Sequence, residues 1–340
     1  MGIQVGVRSQ VELADNVKQL YDAFGQRKPM GEGSHDPLIP HYFLHRTFLG
    51  EHDLLIIFNT KRCKYQCYFC QLPAKSSRSF IPAEDIIAQF AYVMDEMKHS
   101  LSVLDRLTFS NEGSILDPET FPTSALLAIA EAVREVRVVR TLVLETRLEF
   151  VDAAVIQAVR ALLPRVDLHI LTGFETHDAV LRDRVLFKRE PLSQFEAGLD
   201  AVAASGCSLN AYILYKPGTD MTDAEAYVEA EASIDYLVAE CMRRQIPLRA
   251  IRLNPMYAAA GSRWAKTAHA SAGYQPPRLT DIMRLAAKKR QAGVPIYIGL
   301  STEGLDDGSS YMVREDYAPQ LIRPVKLFND EKLADFEGIL

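Results

Sequence analysis

The sequence predicts an α/β fold, a partial (β/α)6 TIM-like barrel with N- and C-terminal extensions. Three observations carry this. Short apolar runs rich in β-branched residues recur at 54–59, 106–110, 141–146, 167–175, 209–216, 249–256 and 295–301. Amphipathic stretches of helical length lie between them, at 84–98, 122–137, 152–163, 192–205, 222–244 and 278–291. Polar residues with chemistry to offer fall just beyond most of the runs. A strand–helix alternation of this kind makes a parallel sheet, because each helix carries the chain back to the same edge. Chemistry clustered after strand ends favours a barrel, whose functional loops share the C-terminal face, over the alternative of an open doubly wound sheet.

The elements are bounded by ordinary stop and start signals. Asp152 and Thr222 read as helix caps, since their side-chain oxygens can accept from exposed first-turn N–H groups. Gly206 and Gly293 read as helix stops. Residues 1–50 do not follow the alternation and form an N-terminal extension: 10–24 suits one helix, and QRKPMGEGSHDPLIP reads as a loop. Residues 51–301 form the barrel, and 302–340, with GLDDGSS and REDYAPQ, a C-terminal cap. No linker divides the chain, and the βα unit is the repeat.

Composition narrows the function classes. The chain has 340 residues, 48% hydrophobic and 24% charged, with a net charge of −6. That balance argues against a large basic face for nucleic acid. No apolar run reaches the roughly 18–20 residues that cross a bilayer. The N-terminus, MGIQVGVRSQVELADN, lacks the apolar core of a signal peptide. Five cysteines are an odd count, and three fall within eight residues. This is the pattern of a metal site in a reducing compartment, so a cytoplasmic location is expected.

Those three cysteines lie in KRCKYQCYFCQL, residues 61–72, with C-x3-C-x2-C spacing. Three thiolates on one loop can converge on a cubane and bind three of its irons. The fourth iron is then open to chelate an amino and a carboxylate group, such as those of S-adenosylmethionine. The alternative is zinc, which takes four ligands, or three and a water, commonly from two separated pairs. No second pair exists here, and no histidine lies within ten residues of the three. Three unrelated buried cysteines are a further alternative.

CKYQCYFC, following the first strand of a repeated βα chain and with Phe69 before the third cysteine, resembles the radical S-adenosylmethionine superfamily motif. The resemblance covers about residues 50–300. Through SNEGSILDPETFP, LETRLEF, TGFET, AYILYKPG and RLNPMY it extends to the radical domain of the Elongator catalytic subunit and the radical subunit of archaeosine synthase. It implies one [4Fe–4S] cluster on Cys63, Cys67 and Cys70, S-adenosylmethionine as cofactor, and an external electron donor of flavodoxin or ferredoxin type. Reductive cleavage would give a 5′-deoxyadenosyl radical that abstracts hydrogen.

Roles follow residue by residue from the resemblance. Phe69 belongs to the cofactor-binding motif. Asn111 and Glu112 stand where the superfamily has a Gly-Gly-Glu-like turn that meets the methionine ammonium; a plain polar turn is the alternative. Glu145 and Glu175 stand where ribose hydroxyls are met, since a carboxylate can accept from both oxygens of a cis-diol. Their alternative is pairing with Arg147 or another cation. Lys188 stands where a cation meets the methionine carboxylate, with Arg189 one residue away and a solvated lysine as the alternative. Asn254 can hold adenine edges or substrate. Tyr215, Lys216 and Asn254 are expected to face the barrel mouth; Tyr212, Tyr215 and Tyr257 line a pocket or fill the core. His177 is an acid–base candidate or a structural residue. Cys207 and Cys241 are expected in the core, with no auxiliary cluster.

Three functions remain open on these readings. One is a radical enzyme acting on a small-molecule or carrier-bound biosynthetic substrate. The second, not favoured, is a tRNA-modifying radical enzyme; against it, the one short basic run, Lys288–Lys289–Arg290, reads as a solvated helix face. The third is a non-catalytic iron–sulfur sensor or scaffold. For the first, the two ends of the chain are expected to pack at the C-terminal face and narrow it. Anaerobic reconstitution should yield about four irons and four sulfides per chain. Cys63→Ala, Cys67→Ala or Cys70→Ala should each abolish that content, and Cys207→Ala or Cys241→Ala should leave it intact.

Overall fold

Each of the apolar runs becomes a strand and each amphipathic stretch a helix. The computed structural model describes residues 36–65, 67–70, 76–256, 262–271, 274–300 and 319–340. In chain order the elements begin β1 (Tyr42–Phe48), β2 (Glu51–Phe58), α1 (Ala83–Glu96), β3 (Arg106–Asn111), α2 (Thr123–Val133), β4 (Thr141–Glu145) and α3 (Ala153–Leu162). They continue with β5 (Asp167–Glu175), α4 (Leu192–Ala204), β6 (Ser208–Tyr215), α5 (Asp223–Arg243) and β7 (Leu248–Pro255). The last are α6 (Arg263–Ala270), α7 (Leu279–Gln291), β8 (Ile296–Ile298) and α8 (Pro319–Asn329).

The strands form one eight-stranded sheet in sequence order, parallel throughout except that β1 runs antiparallel to β2. The sheet curls into a partial barrel. Its outer face is apolar: Leu54, Ile56 and Phe58 of β2, Leu107 and Phe109 of β3, and Leu209, Ala211, Ile213 and Tyr215 of β6 share one core with the helices. Alternation by two sends the other residues inward. The lumen therefore mixes polar and apolar groups: Asp53, Arg106, Thr108, Asn210 and Arg252 are buried in it beside Leu55, Ile57 and Val143. Near the foot of the barrel the sheet's two edge strands approach, where the Phe48 ring of β1 stacks on Tyr297 of β8 at 4.4 Å.

The expected local signals operate as read. The Asp152 carboxylate accepts from Ala154 N (2.7 Å) and Val155 N (3.1 Å). Thr222 and Glu225 form a reciprocal capping box. Gly206 and Gly293 take φ of +64° and +82° after α4 and α7, a conformation that a Cβ disfavours. Strand β1 was not among the expected strands. It is tied to β2 by the two-residue turn Leu49–Gly50, both at positive φ (47° and 79°), as a type I′ hairpin requires.

Two expectations change. The described part of the tail does not gather at the C-terminal face. Leu49 N, in the turn before β2, donates to Asn329 O (3.2 Å), and the Asn329 amide bonds Ile298 N (2.9 Å) and O (2.7 Å). The tail thus satisfies edge groups of β8 and closes on the opposite end of β2 from the cysteines. Residues 1–35 and 302–318, on which the rest of that expectation falls, lie outside the described residues. The basic run is only partly a solvated face, since Lys288 is exposed but Lys289 is not. Lys289 is buried and bonded to Asp235 and Glu231, Lys288 pairs with Glu231, and Arg290 donates to Phe328 O. Among the described residues no helix is long and apolar enough to cross a membrane.

Loss of either helix cap, by Asp152→Ala or Thr222→Ala, should lower stability by about 1 kcal/mol. A shift in the urea midpoint with an unchanged slope would register it; no shift would show that these side chains do not cap in solution.

Candidate active site at the C-terminal face

The cysteines lie in the loop that leaves β2. Cys63, Cys67 and Cys70 are all half-buried, and none is in a disulfide. The loop leans on the segment after β5: Tyr68 N donates to Leu186 O (2.8 Å), and the Cys67 thiol lies 3.8 Å from Lys188 O. Phe69 packs against the apolar group of Leu186, Leu214, Met256, Trp264, Ala268 and Tyr274, so it anchors the loop. Burial pushes the Cys63 thiol up from its ordinary pKa, and the neighbouring Cys67 adds to the rise. Cys67 is also pushed up by burial, with Lys188 and Arg147 opposing. Gln66 and residues 71–75 lie outside the described residues. Among the described residues, no set of three or more His, Cys, Asp or Glu side chains is gathered closely enough to hold a metal ion as it stands.

Behind Cys67 is a nest of buried charge. Lys188 Nζ lies 3.5 Å from Glu175 Oε1 and 3.5 Å from Glu190 Oε2. Arg182, fully buried, donates to Glu190 Oε2 and Glu190 O, each at 2.6 Å, and to Phe174 O and Thr176 O. Burial raises the Glu175 pKa, with Lys188 and Arg182 pulling the other way. Glu175 itself has φ +69°. Gly173 makes the arrangement possible, because a Cβ there would stand 2.1 Å from Glu175 Oε1 and 3.2 Å from Lys188 Nζ. Arg147 donates to Lys188 O (3.0 Å) and Arg189 O (3.1 Å), and its guanidinium covers the Tyr65 ring at 3.8 Å.

The other expected residues divide. Glu112 is buried; it accepts from Thr60 N (3.3 Å) and faces His41 Nδ1 at 3.6 Å. Asn111 is buried and folds its Oδ1 back on Gly113 N (3.0 Å), the polar turn weighed as the alternative. Glu145 accepts from Tyr212 Oη (3.3 Å), and burial raises its pKa against the pull of Ser110, Tyr212 and Arg252. Glu175 pairs with a cation as the alternative supposed, though the cation is Lys188 and not Arg147, whose Nε faces Glu149 at 3.4 Å. Asn254 accepts from Arg252 Nε (3.0 Å), and glycine at 299 leaves it room, since a Cβ there would fall 2.2 Å from Asn254 Oδ1.

Some residues are elsewhere. Tyr215 packs outward into the helix-facing core and does not face the mouth. Lys216 is buried on Asp223 at 2.8 Å. His177 hydrogen-bonds Ser233 at 3.0 Å, so it is tied to α5. Tyr257 lies outside the described residues. Cys207 and Cys241 are buried in the core, and burial pushes Cys241 up to about 12. Arg182, Glu190 and Gly173 escaped the reading of the sequence. Arg182 and Glu190 are eight residues apart across an irregular turn, a spacing no helix or strand period brings together.

No family model matches the chain. An uncharacterized protein of Methanocaldococcus jannaschii is 27% identical over 196 residues, which are 56% of this chain and 53% of that protein. The chain thus spans about half the length of the curated relative it matches. Solved structures similar to it include Escherichia coli coproporphyrinogen III oxidase, described as a radical SAM enzyme: 14% identity, TM-score 0.41, 68% of this chain and 51% of that one. An Elp3 from Methanocaldococcus infernus matches at 10% identity and TM-score 0.46, over 64% of this chain and 54% of that one. A spore photoproduct lyase mutant with dinucleoside spore photoproduct matches at 16% identity and TM-score 0.48, over 83% and 94%.

Gly173→Ala should drive the Glu175 carboxylate from its place while leaving the fold intact by circular dichroism. If Glu175 is a ligand of S-adenosylmethionine, Gly173→Ala and Glu175→Ala should each weaken its binding by roughly 1.5–3 kcal/mol, the worth of a hydrogen bond to a charged group. Equilibrium dialysis measures this, and unaltered affinity in both variants would remove Glu175 from the site.

Proposed function

We propose that the chain is a radical S-adenosylmethionine enzyme that abstracts hydrogen from a small-molecule or carrier-bound biosynthetic substrate. The observation that carries the reading is the C-x3-C-x2-C loop set beside the buried nest of Glu175 and Lys188. The donor set fits a [4Fe–4S] cluster: three thiols in one loop, with Lys188 and Arg147 opposing the rise that burial imposes on Cys67. Cys63, Cys67 and Cys70 would hold three irons. The cluster, when bound, supplies the electron that cleaves S-adenosylmethionine to a 5′-deoxyadenosyl radical.

The chain's own residues then bind and orient. Lys188 offers an ammonium to the methionine carboxylate, and Glu112 a carboxylate to its ammonium, each a charge-assisted bond. Glu175 and Glu145 offer acceptors for ribose hydroxyls, and Asn254 an amide for adenine or substrate. Phe69 holds the loop down. An external flavodoxin- or ferredoxin-type donor brings the reducing equivalent.

One observation favours a second reading, a tRNA-modifying radical enzyme. Beside the cysteine loop, Tyr68 stacks on Phe187 at 4.5 Å; Arg263 covers Tyr68 at 4.1 Å and Arg189 covers Phe187 at 4.4 Å. Both arginines are exposed. Aromatic and guanidinium planes of this kind suit unstacked bases. The reduced, reconstituted protein should release 5′-deoxyadenosine from S-adenosylmethionine, seen by chromatography, and Cys67→Ala should not. Absence of the product from cluster-loaded protein would overturn the radical reading, and salt-dependent tRNA binding lost in Arg263→Ala would select the second substrate class.

A further inference from the structure

Arg147 has no task in the proposed chemistry, yet it stands directly behind the cysteine loop. It lies two residues beyond Glu145, the end of β4, and it is buried. A guanidinium does not lose its proton inside a protein, so this is a fixed charge. Burial works against that charge, and Glu190, Glu149 and Cys67 outweigh it.

Two contacts aim the charge at the thiols. Arg147 Nη1 donates to Lys188 O at 3.0 Å, and the Cys67 thiol lies 3.8 Å from the same oxygen. Cation and sulfur thus meet across one carbonyl. The guanidinium also covers the Tyr65 ring at 3.8 Å, and Tyr65 is two residues from Cys63 and two from Cys67. Both cysteines feel it: burial pushes the Cys63 and Cys67 thiols up, and Arg147 pulls against the rise at each. Lys64, the cation within the loop, is exposed, so solvent and salt screen it.

The acid that answers Arg147 is Glu149, 3.4 Å from its Nε. Glu149 is also held by the Tyr65 hydroxyl and by Gln194 Nε2. The other edge of the guanidinium meets only carbonyls, Lys188 O and Arg189 O, which carry no net charge. At neither thiol does the push of Glu149 match the pull of Arg147. The nest behind Cys67 holds two acids, Glu175 and Glu190, and two cations, Lys188 and Arg182, so its charges cancel in number. The balance near the loop therefore falls to Arg147 and Glu149.

We propose that Arg147 sets the reduction potential of the bound cluster, raising it by holding a buried positive charge behind Cys63 and Cys67. The inference rests on the radical reading. One electron added to a cluster on three thiolates adds negative charge to a group already negative, and net charge is one of the levers on such potentials. A cation held nearby, out of water, favours the added charge. Arg147 hydrogen-bonds neither thiol, so it is a positioning residue that acts through its field. The result is a cluster that a weaker one-electron donor can load.

The test is a potentiometric titration of the full, anaerobically reconstituted chain with dithionite, at fixed pH and without S-adenosylmethionine. Electron paramagnetic resonance reads the reduced cluster, and iron content is measured for every variant. In Arg147→Met the ratio of reduced to oxidised cluster at a fixed potential should fall about tenfold, a midpoint about 59 mV lower for one electron. Arg147→Lys, which keeps the charge, should recover most of that loss. Glu149→Gln removes the opposing charge, keeps an acceptor for Tyr65, and should raise the midpoint. A clamp that is merely structural would not give shifts of opposite sign. If Arg147→Met takes up no iron, Glu149→Gln carries the test. No fall in Arg147→Met, no rise in Glu149→Gln, or a lysine variant as low as the methionine variant would overturn the inference. So would an equal fall in Lys64→Met, which would assign the effect to the charge of the loop as a whole. Loaded protein that shows the shifts but releases no 5′-deoxyadenosine would defeat the radical reading alone. Loaded protein that releases it while its midpoint ignores Arg147 would defeat the inference alone, and protein that never takes up iron would defeat both.

Discussion

Four charges buried at the C-terminal end of β5 hold the candidate site together. Glu175, Glu190, Arg182 and Lys188 are each less than a tenth exposed. Taking any of them from water alone is expensive, and removing one partner from such a group typically costs 3–5 kcal/mol. Two acids and two bases make the nest neutral, and Arg182 adds bonds to the carbonyls of Phe174, Thr176 and Glu190. To reach one another, these side chains bend the backbone: Glu175, Phe187 and Arg189 have φ of 69°, 50° and 54°. Non-glycine residues hold that conformation at a cost of order 1–3 kcal/mol each, and only where the surroundings over-determine it.

The cysteine loop inherits this constraint. Its contacts run to the backbone of the bent segment, through Tyr68 N to Leu186 O and the Cys67 thiol to Lys188 O. Arg147 clamps the same segment from the β4 side and covers Tyr65, which donates to Glu149. Neutrality of the nest, conformation of residues 186–190 and placement of the thiols are therefore one coupled problem. A change at Glu190, which touches neither thiol nor lumen, reaches both through Lys188.

The fold was legible because the sheet's outer face is nearly pure hydrocarbon. Runs such as Leu54–Ile56–Phe58 and Leu209–Ala211–Ile213 cannot be exposed, and the helices between them repeat the same pattern at period 3.6. Strand β1 was not legible by that route: YFLHRTF has no helix after it, and Arg46 turns inward to Asp53. Its signal was the glycine of Leu49–Gly50 between two apolar runs. The cysteines could be named from a dense motif, Glu175 from its place at the end of β5, and Lys188 from the resemblance alone. Their mutual contacts could not, because they depend on an irregular turn, on a bulge in the β5–β6 pairing and on a glycine that must admit a carboxylate. Tyr215 was misplaced by a single step of strand parity, which sends a side chain to the other face.

The lumen is layered, and Tyr212 joins the layers. Its hydroxyl donates upward to Glu145, while Arg252, over its ring, bonds Asn254 at the level of Gly299. The floor of arginines and the upper carboxylates thus share one side chain and its electrostatic field. Tyr212 is held protonated, first by burial and then by Glu145, so it remains a donor to that carboxylate.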